Sequence, residues 1–123
     1  MPTVSRQLTV NIQSKDIWIQ LKEGSGGAVY SVPTSGSNPR ADVRQIRAIN
    51  RTGGSSTIDI AFSTNGTILD DEYIWSRKIL TAEQESIDAN VHVLRSNEGI
   101  WARATQTSGS PNVTVRSSLL EVT

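Results

Sequence analysis

The chain of 123 residues contains no cysteine, one histidine, one methionine and one phenylalanine. Without cysteine there is no disulfide framework and no thiol chemistry, and one histidine leaves little material for a zinc site or a histidine-based catalytic set. No run approaches the ~18 apolar residues of a membrane span, and residues 1–7 contain no apolar signal segment. These absences predict a protein made in a cytoplasm, with no membrane partner, no cofactor and no metal.

The chain also has no net charge, because twelve basic and twelve acidic side chains cancel. This removes the general electrostatic argument for direct binding to nucleic acid. The charges are unevenly spread, however. Residues 1–62 contain seven Lys or Arg and four Asp or Glu, whereas residues 63–123 contain five and eight. Such asymmetry favours head-to-tail contacts between copies.

Hydrophobic residues make up only 36% of the chain, so the core is expected to be thin, and some stability is expected to come from a partner or from self-association, although small β-sandwiches also fold alone. Alternation of apolar and polar residues predicts strands at 8–12, 17–21, 28–32, 57–62, 73–80, 86–94, 99–105 and 112–122. Turn residues separate these segments. The pattern predicts one all-β domain, an antiparallel β-sandwich of jelly-roll type with about eight short strands.

Within this single domain, residues 1–27 are expected to supply N-terminal strands and residues 28–123 the core of the sandwich. About six residues without a pattern precede the first strand, and they predict a loose end or an arm that orders against a neighbour. Three glycines between residues 24 and 27 suit either an exchanged N-terminal segment or an ordinary surface loop.

Two hairpins are predicted from turn chemistry. One joins residues 99–105 to 112–122, and the other passes through the Gly-Gly turn at residues 52–55. The strand that leads into this second turn is ambiguous, because residues 40–51 also contain apolar residues at a helical spacing of three. We favour a strand with an irregularity near Arg44, since the alternating strand after the turn needs an antiparallel neighbour.

The tryptophans give the clearest indication of a binding surface. If the apolar residues of 17–21 and of 100–104 face the core, then Trp18 and Trp101 face away from it. Large aromatic residues on the polar side of a small sandwich predict a covered outer face, because Trp is enriched in interface hot spots. The competing interpretation is that the faces are reversed and these rings belong to the core.

Trp75 shares a side with Tyr73 and Arg77 in simple alternation, and we expect it to belong to the same system. Arginines between residues 40 and 51 lack interleaved aromatics, so an ion-pairing or interface patch is favoured over phosphate binding. The candidate interface residues are therefore Trp18, Trp75, Trp101, Arg103, Arg47 and Arg51.

Catalysis is not expected. His92 alternates with Val91 and Val93, which places it on the polar side of a strand as a solvated or interface residue. The adjacent carboxylates at 70–72 point to alternate sides of an extended chain and lack the stepped spacing of a calcium loop. An acidic surface turn is the better interpretation.

The order of these segments resembles that of small structural proteins of tailed bacteriophages over about residues 28–122. The residues that carry the resemblance are Val29-Tyr30-Ser31-Val32-Pro33, Val43-Arg44-Gln45-Ile46, Asn50-Arg51-Thr52-Gly53-Gly54, the strand at 57–62, Gly99-Ile100-Trp101-Ala102-Arg103-Ala104 and Asn112-Val113-Thr114-Val115. This chain departs from the pattern in its long connection at 34–39 and in having Glu98-Gly99 where similar sequences have Gly-Asp.

The resemblance implies a β-sandwich that decorates or cements a capsid, or an accessory component of the neck, tail or fibres, located in the virion and made in the host cytoplasm. It implies no enzymatic activity and no cofactor. The expected partners are further copies of the chain, in a homotrimer, and the major capsid protein or another virion protein. An alternative from a different class is a carbohydrate-binding module that stacks sugars on Trp18, Trp75 or Trp101.

Overall fold

The computed structural model describes residues 3–24, 27–36, 38–106 and 109–122, and its regular elements are ten β-strands and one short 3-10 turn. Eight strands have four or more residues, and two have only two. The strands are β1 (Thr3–Ile12), β2 (Ile19–Gln20), β3 (Lys22–Glu23), β4 (Arg40–Asn50), β5 (Ser56–Ser63), β6 (Tyr73–Leu80), β7 (Glu85–Asp88), β8 (His92–Arg95), β9 (Gly99–Gln106) and β10 (Val113–Val122). The 3-10 turn is Asp70–Glu72.

The strands form two antiparallel sheets. The six-stranded sheet has the order β3-β1-β10-β4, with β7 and β8 both paired to the outer side of β4. The four-stranded sheet has the order β2-β9-β5-β6. The chain crosses repeatedly between the sheets, as in a double-sheet jelly roll. The predicted all-β sandwich is therefore confirmed.

Alternation places the core between the sheets. In the four-stranded sheet, Ile58 and Ile60 of β5 and Ile100, Ala102 and Ala104 of β9 point inward and are fully buried. Alternate residues of β1 and β10, in the six-stranded sheet, pack against these side chains. The face assignment of residues 100–104 is confirmed, because Ile100, Ala102 and Ala104 are fully buried whereas Trp101 and Arg103 are partly exposed.

Both predicted hairpins are wrong, although their strands are present. β9 pairs with β5 and β2, whereas β10 lies in the other sheet between β1 and β4. Likewise β4 and β5 belong to different sheets. A polar connection that contains glycine can join two strands of one hairpin, or it can carry the chain from one sheet to the other. Turn residues alone therefore do not predict which of the two connections forms.

The strand interpretation of residues 40–51 is confirmed by β4, and so is the irregularity near Arg44. Ser118 pairs with Gln45 and the next residue, Leu119, pairs with Val43, so Arg44 is the extra residue of a β-bulge. The bulge restores the apolar alternation on both sides of Arg44. The extra residue also explains why apolar residues in this strand recur at a spacing of three, as they would in a helix.

The N-terminal segments differ from the predictions in several respects. β1 begins at Thr3 and pairs with β10 along its whole length, so residues 3–7 are not a patternless end within this chain. Residues 17–21 form only the two-residue β2, and Ile17 is exposed. Exchange of the N-terminal segment between copies remains a prediction.

Residues 28–32 form an extended connection with one isolated bridge, between Val29 and Lys22, instead of the predicted strand. The backbone N–H of Tyr30 donates to the carbonyl oxygen of Leu21, and that of Val32 donates to the carbonyl oxygen of Glu98. The segment is thus held by single backbone bonds to residues next to β2 and β9 and does not join a ladder.

The predicted strand at 86–94 is divided into β7 and β8, and its apolar side faces outward. Ile87, Val91 and Val93 are exposed together with Ala89, whereas Leu94 is buried. The prediction that the apolar side of this segment faces the core is therefore wrong. This leaves an apolar strip at the β7–β8 edge of the six-stranded sheet.

Candidate interaction surface

The outer side of the four-stranded sheet carries a preformed cluster of aromatic and charged side chains. Cross-strand pairing places Asp59 of β5 opposite Arg103 of β9, and Ala61 is paired with both Trp101 and Tyr73. Trp18 precedes β2 and reaches the same surface through its contact with Arg103. We call the surface formed by Trp18, Asp59, Tyr73, Trp101 and Arg103 the aromatic face.

Arg103 is the centre of this face. Its Nε and Nη2 donate to Asp59 Oδ2 at 3.0 and 2.8 Å, and Nη2 lies 3.4 Å from the hydroxyl of Tyr73. The guanidinium also stacks over the ring of Trp18, 4.5 Å from its centroid. Partial burial would lower the pKa of Arg103, but its bonds to Asp59 outweigh this effect and raise the pKa. Arg103 is therefore held both as a cation and in position.

Asp59 connects this cluster to the backbone. Its Oδ1 accepts a 2.6 Å hydrogen bond from the N–H of Arg77, where the chain has a φ of 51°. Relative to β5, β6 contains one extra residue on each side of Ile60, which marks two irregularities in β6. The buried carboxylate thus satisfies a backbone donor that the irregular ladder leaves free.

Trp101 is fixed by a turn. Its indole N–H donates to the carbonyl oxygen of Ser63 at 3.2 Å. Gly66 has a φ of +79°, and a Cβ at this position would lie 2.7 Å from the Trp101 ring. Glycine therefore allows the turn at residues 63–67 to close against one side of the indole.

A shallow depression of about 380 Å³ lies beside the cluster. It is lined by Asp59, Asp70, Tyr73, Ser76, Arg77 and Arg103. Charges of both signs meet here. The depression suits a polar protein surface with its own ion pairs better than an apolar small molecule.

Trp75 does not belong to the aromatic face, and its predicted position is wrong. It is 8% exposed and packs in the core. Ile60 pairs with Trp75 and the next residue, Ala61, pairs with Tyr73, so Ile74 is skipped. The bulge breaks the simple alternation, and Tyr73 and Trp75 point to opposite sides.

Arg47 lies on β4 of the six-stranded sheet and Arg51 directly follows that strand, so both are away from the aromatic face. Arg47 Nη2 donates to both carboxylate oxygens of Glu85, at 2.9 and 3.0 Å, in an exposed pair. Arg51 Nε donates to Thr114 Oγ1 at 2.8 Å. The structure therefore brings together Trp18, Trp101 and Arg103 of the predicted site and separates the other three residues from them.

Sequence reasoning missed Asp59 as a member of the site. The only available signal was its position on the polar side of the strand at 57–62. The cross-strand pair with Arg103 depends on which strands are neighbours, and that information is nonlocal.

His92 lies half-buried between the sheets, so the solvated position is wrong, and the alternative prediction of an interface residue stays a prediction. Its Nε2 is 3.1 Å from Asp88 Oδ2, and the indole N–H of Trp75 donates to the same oxygen at 3.2 Å. Asp88 belongs to β7 and Trp75 to β6, so this contact links the two sheets. The ring of His92 also meets Phe62 edge-on.

We expect the Asp88 link to make stability depend on acid pH. Burial would raise the pKa of Asp88, but donors from Asn90, His92 and Trp75 outweigh it and hold the pKa below its ordinary value. The stabilisation is then complete at neutral pH and is lost as the pH falls below about 4 towards the folded-state pKa. Asp88→Asn should lower the urea midpoint clearly at pH 7 and much less at pH 3. An equal loss at both pH values would contradict this account.

Within the described ranges, no group of three or more His, Cys, Asp or Glu residues is arranged to hold a metal ion. The same parts of the chain contain no helix of the length and apolarity needed to cross a bilayer.

Comparison with known proteins identifies the fold. No family model and no curated protein matches the sequence. A chain of the acid-stable capsid of Helicobacter pylori bacteriophage KHP30 is similar with a TM-score of 0.53 and 12% identity, over 98% of this chain and 90% of the capsid chain. A protein of the disulfide-linked pili of Bacillus endospore appendages is similar with a TM-score of 0.52 and 11% identity, over 98% and 88% of the two chains. At such identities the likeness concerns the fold alone, and the chain has a β-sandwich architecture that also occurs in a phage capsid and in a pilus.

Proposed function

We propose that the chain is a structural protein of a bacteriophage virion, a decoration or cement protein that binds the assembled capsid as a homotrimer. The observation that carries the proposal is the aromatic face, where Trp18 and Tyr73 contact an arginine held by a buried carboxylate and Trp101 lies on the same side of β9. Trp, Tyr and Arg are the residues most enriched in binding hot spots. The capsid likeness and the phage resemblance of the sequence support the same conclusion.

The mechanism follows from preorganisation. Arg103 is fixed by Asp59 and Trp18 before any partner arrives, so docking costs little side-chain entropy. A trimer that presents three such faces binds strongly only where matching sites lie at the right spacing, as on an assembled shell. The partner is then the major capsid protein or another virion protein. Binding to the assembled state stabilises that state by mass action.

The fold is similar to that of a protein from disulfide-linked pili, but this sequence contains no cysteine. The absence of cysteine argues against a role in a pilus of that kind. An accessory role in the neck, tail or fibres uses the same surface and differs only in the partner. Immunogold electron microscopy of the virion distinguishes these locations.

A carbohydrate-binding role is the candidate from a different class. A sugar platform needs an exposed ring face, whereas the guanidinium of Arg103 covers one face of Trp18 and the Gly66 turn closes against Trp101. The geometry therefore favours protein docking. A glycan array is the direct test of this alternative.

We expect the change Trp18→Ala together with Trp101→Ala to weaken shell binding at least ~100-fold, because each hot-spot truncation costs about 2 kcal/mol or more. Co-sedimentation with purified shells measures the effect. Arg47→Ala, on the other sheet, is the matched control and should leave binding unchanged. Equal binding by the double variant, with its fold retained by circular dichroism, would overturn the assignment of the aromatic face.

A further inference from the structure

The outer side of the six-stranded sheet carries arginines that lack matching carboxylates. Arg116 lies on β10 in the middle of the sheet and is paired directly with Arg47 of β4. Arg44, the extra residue of the bulge in β4, is exposed on the same side. In the described parts of the chain, the side chains of Arg44 and Arg116 make no ion pair and no hydrogen bond. Like charges directly opposite each other in a sheet are unfavourable, so a bound anion would stabilise this surface.

These arginines line three shallow depressions of about 270, 330 and 230 Å³. Gln7 of β1 borders all three, so the depressions adjoin one another. We call the surface formed by Gln7, Arg44, Gln45, Arg47, Arg116 and Ser118 the arginine groove. No described Asp or Glu lines any part of it, whereas the depression beside the aromatic face is lined by two aspartates. Positive charge is therefore concentrated here although the whole chain is neutral.

The bulge in β4 contributes directly to this groove. Val43 and Ile46 both point inward and are fully buried. A regular strand would place one residue between them on the outer side, but the bulge places two there, Arg44 and Gln45. Both line the groove. Bulges often reorient side chains at binding sites, and this one adds a polar side chain to the arginine groove.

The surroundings of the groove favour carboxylates over a phosphate backbone as the ligand. Nη2 of Arg47 already donates to both carboxylate oxygens of Glu85 beside the groove. Leu120 is half-buried and lines one end, where an apolar side chain gains more from packing than a phosphate does. The chain has no net charge, so it lacks the broad basic surface on which duplex binding depends. A peptide that carries both carboxylates and an apolar residue matches these features.

We propose that the arginine groove binds a short acidic segment of another protein, in which an apolar residue lies next to the carboxylates. The carboxylates accept charge-assisted hydrogen bonds from Arg44 and Arg116, and the apolar residue packs on Leu120. The groove and the aromatic face lie on the outer sides of opposite sheets, so one molecule can hold two partners at once. The partner in the groove is distinct from the shell, and the inference does not depend on the proposed function.

A synthetic peptide tests the proposal. The probe is a short, end-capped, fluorescently labelled peptide of alternating Glu and Leu, and the matched control peptide has Gln in place of every Glu. At low ionic strength the wild-type protein should bind the Glu peptide at least ~10-fold more tightly than the Gln peptide, and added salt should weaken this binding. Fluorescence anisotropy measures both affinities.

Two substitutions locate the binding in the groove. Arg44→Gln combined with Arg116→Gln keeps polar side chains at both positions and should weaken binding of the Glu peptide at least ~10-fold. The Tm should not fall, because the change at Arg116 removes the like-charge pair with Arg47. Arg95→Gln is the matched control, since Arg95 is exposed on β8 of the same sheet but lies outside the groove. This variant should bind like the wild type.

Equal binding of the two peptides, or equal binding of the Glu peptide by the double variant, would overturn the proposal. A short DNA duplex is the competing probe. Duplex binding that depends on Arg44 and Arg116 and exceeds peptide binding would identify a nucleic-acid surface and would also contradict an acidic peptide as the ligand. These measurements use neither shells nor the aromatic face. Failure here therefore leaves the proposed function standing, and loss of shell binding leaves the groove standing.

Discussion

Replacing Asn50 with alanine should lower the free energy of unfolding by about 3 kcal/mol and the Tm by roughly 10 °C. Asn50 is fully buried at the end of β4. Its Nδ2 donates to the carbonyl oxygens of Gly54, Leu80 and Thr81 at 2.8 to 3.1 Å. Its Oδ1 accepts from the backbone N–H and the hydroxyl of Thr52, at 3.0 and 2.8 Å.

These bonds explain the size of the expected effect. One side chain connects the end of β4 in one sheet to the end of β6 in the other and to the turn between β4 and β5. Alanine leaves the buried carbonyl of Leu80 without this donor and also removes the partly buried bonds to Gly54 and Thr81. A buried polar group left unsatisfied costs about 1–3 kcal/mol. The connection between β4 and β5 is also expected to become more mobile.

Urea unfolding measures the change, with two further variants for comparison. Asn50→Asp keeps the acceptor oxygens but removes the donors and buries a charge beside carbonyl oxygens, so it should be at least as unstable as Asn50→Ala at neutral pH. Asn112→Ala is the matched control, because the buried Oδ1 of Asn112 has no hydrogen-bond partner and its loss should cost little. Equal stability of the Asn50→Ala and Asn112→Ala variants would refute the role of Asn50.

The second large effect is expected at Arg103. Arg103→Leu should destabilise the protein by about 2–3 kcal/mol, because it leaves the carboxylate of Asp59 buried with only the Arg77 N–H as a donor. Arg47→Leu removes an ion pair in which one guanidinium nitrogen contacts both carboxylate oxygens of Glu85. The Glu85 side chain is 35% exposed, against 10% for Asp59, so this loss should stay below about 1 kcal/mol.

A double-mutant cycle separates the ion pair from the loss of packing on Trp18. Asp59→Asn combined with Arg103→Leu should cost less than the sum of the two single changes by about 1 kcal/mol or more. Additive costs would show that Arg103 contributes through its stacking on Trp18 and not through Asp59.

Much of the candidate site was predictable, and the failures have definite physical causes. Alternation places Trp18 and Trp101 on the outer side because each lies in a segment where one side is apolar. Trp75 was misplaced because the bulge at Ile74 reverses the facing direction, and the residues around Ile74, unlike those around Arg44, gave no sign of an irregularity. Asp59 was missed because its importance depends on the strand opposite.

The corner at Asn50 shows the same limit. Its sequence, Asn50-Arg51-Thr52-Gly53-Gly54, contains residues that favour a hairpin. The Asn50 side chain, however, donates hydrogen bonds to the carbonyl oxygens of Leu80 and Thr81 at the end of β6, and β4 does not pair with β5. Buried polar groups need partners, and here the partner lies thirty residues away in the sequence. Local turn preference was therefore overridden by a nonlocal hydrogen bond.

The sequence by itself determined the all-β class, most of the strands, the bulge near Arg44 and the inward side of residues 100–104, because these follow from the conformational preferences of neighbouring residues. Tertiary structure alone decided which strands pair, which sheet each strand joins, and that Arg103 meets Asp59. Strand pairing joins residues far apart in the chain, and equivalent alternating strands offer many neighbours of similar local energy. Only the burial of a common core and the satisfaction of buried polar groups such as Asn50 and Asp59 select one arrangement.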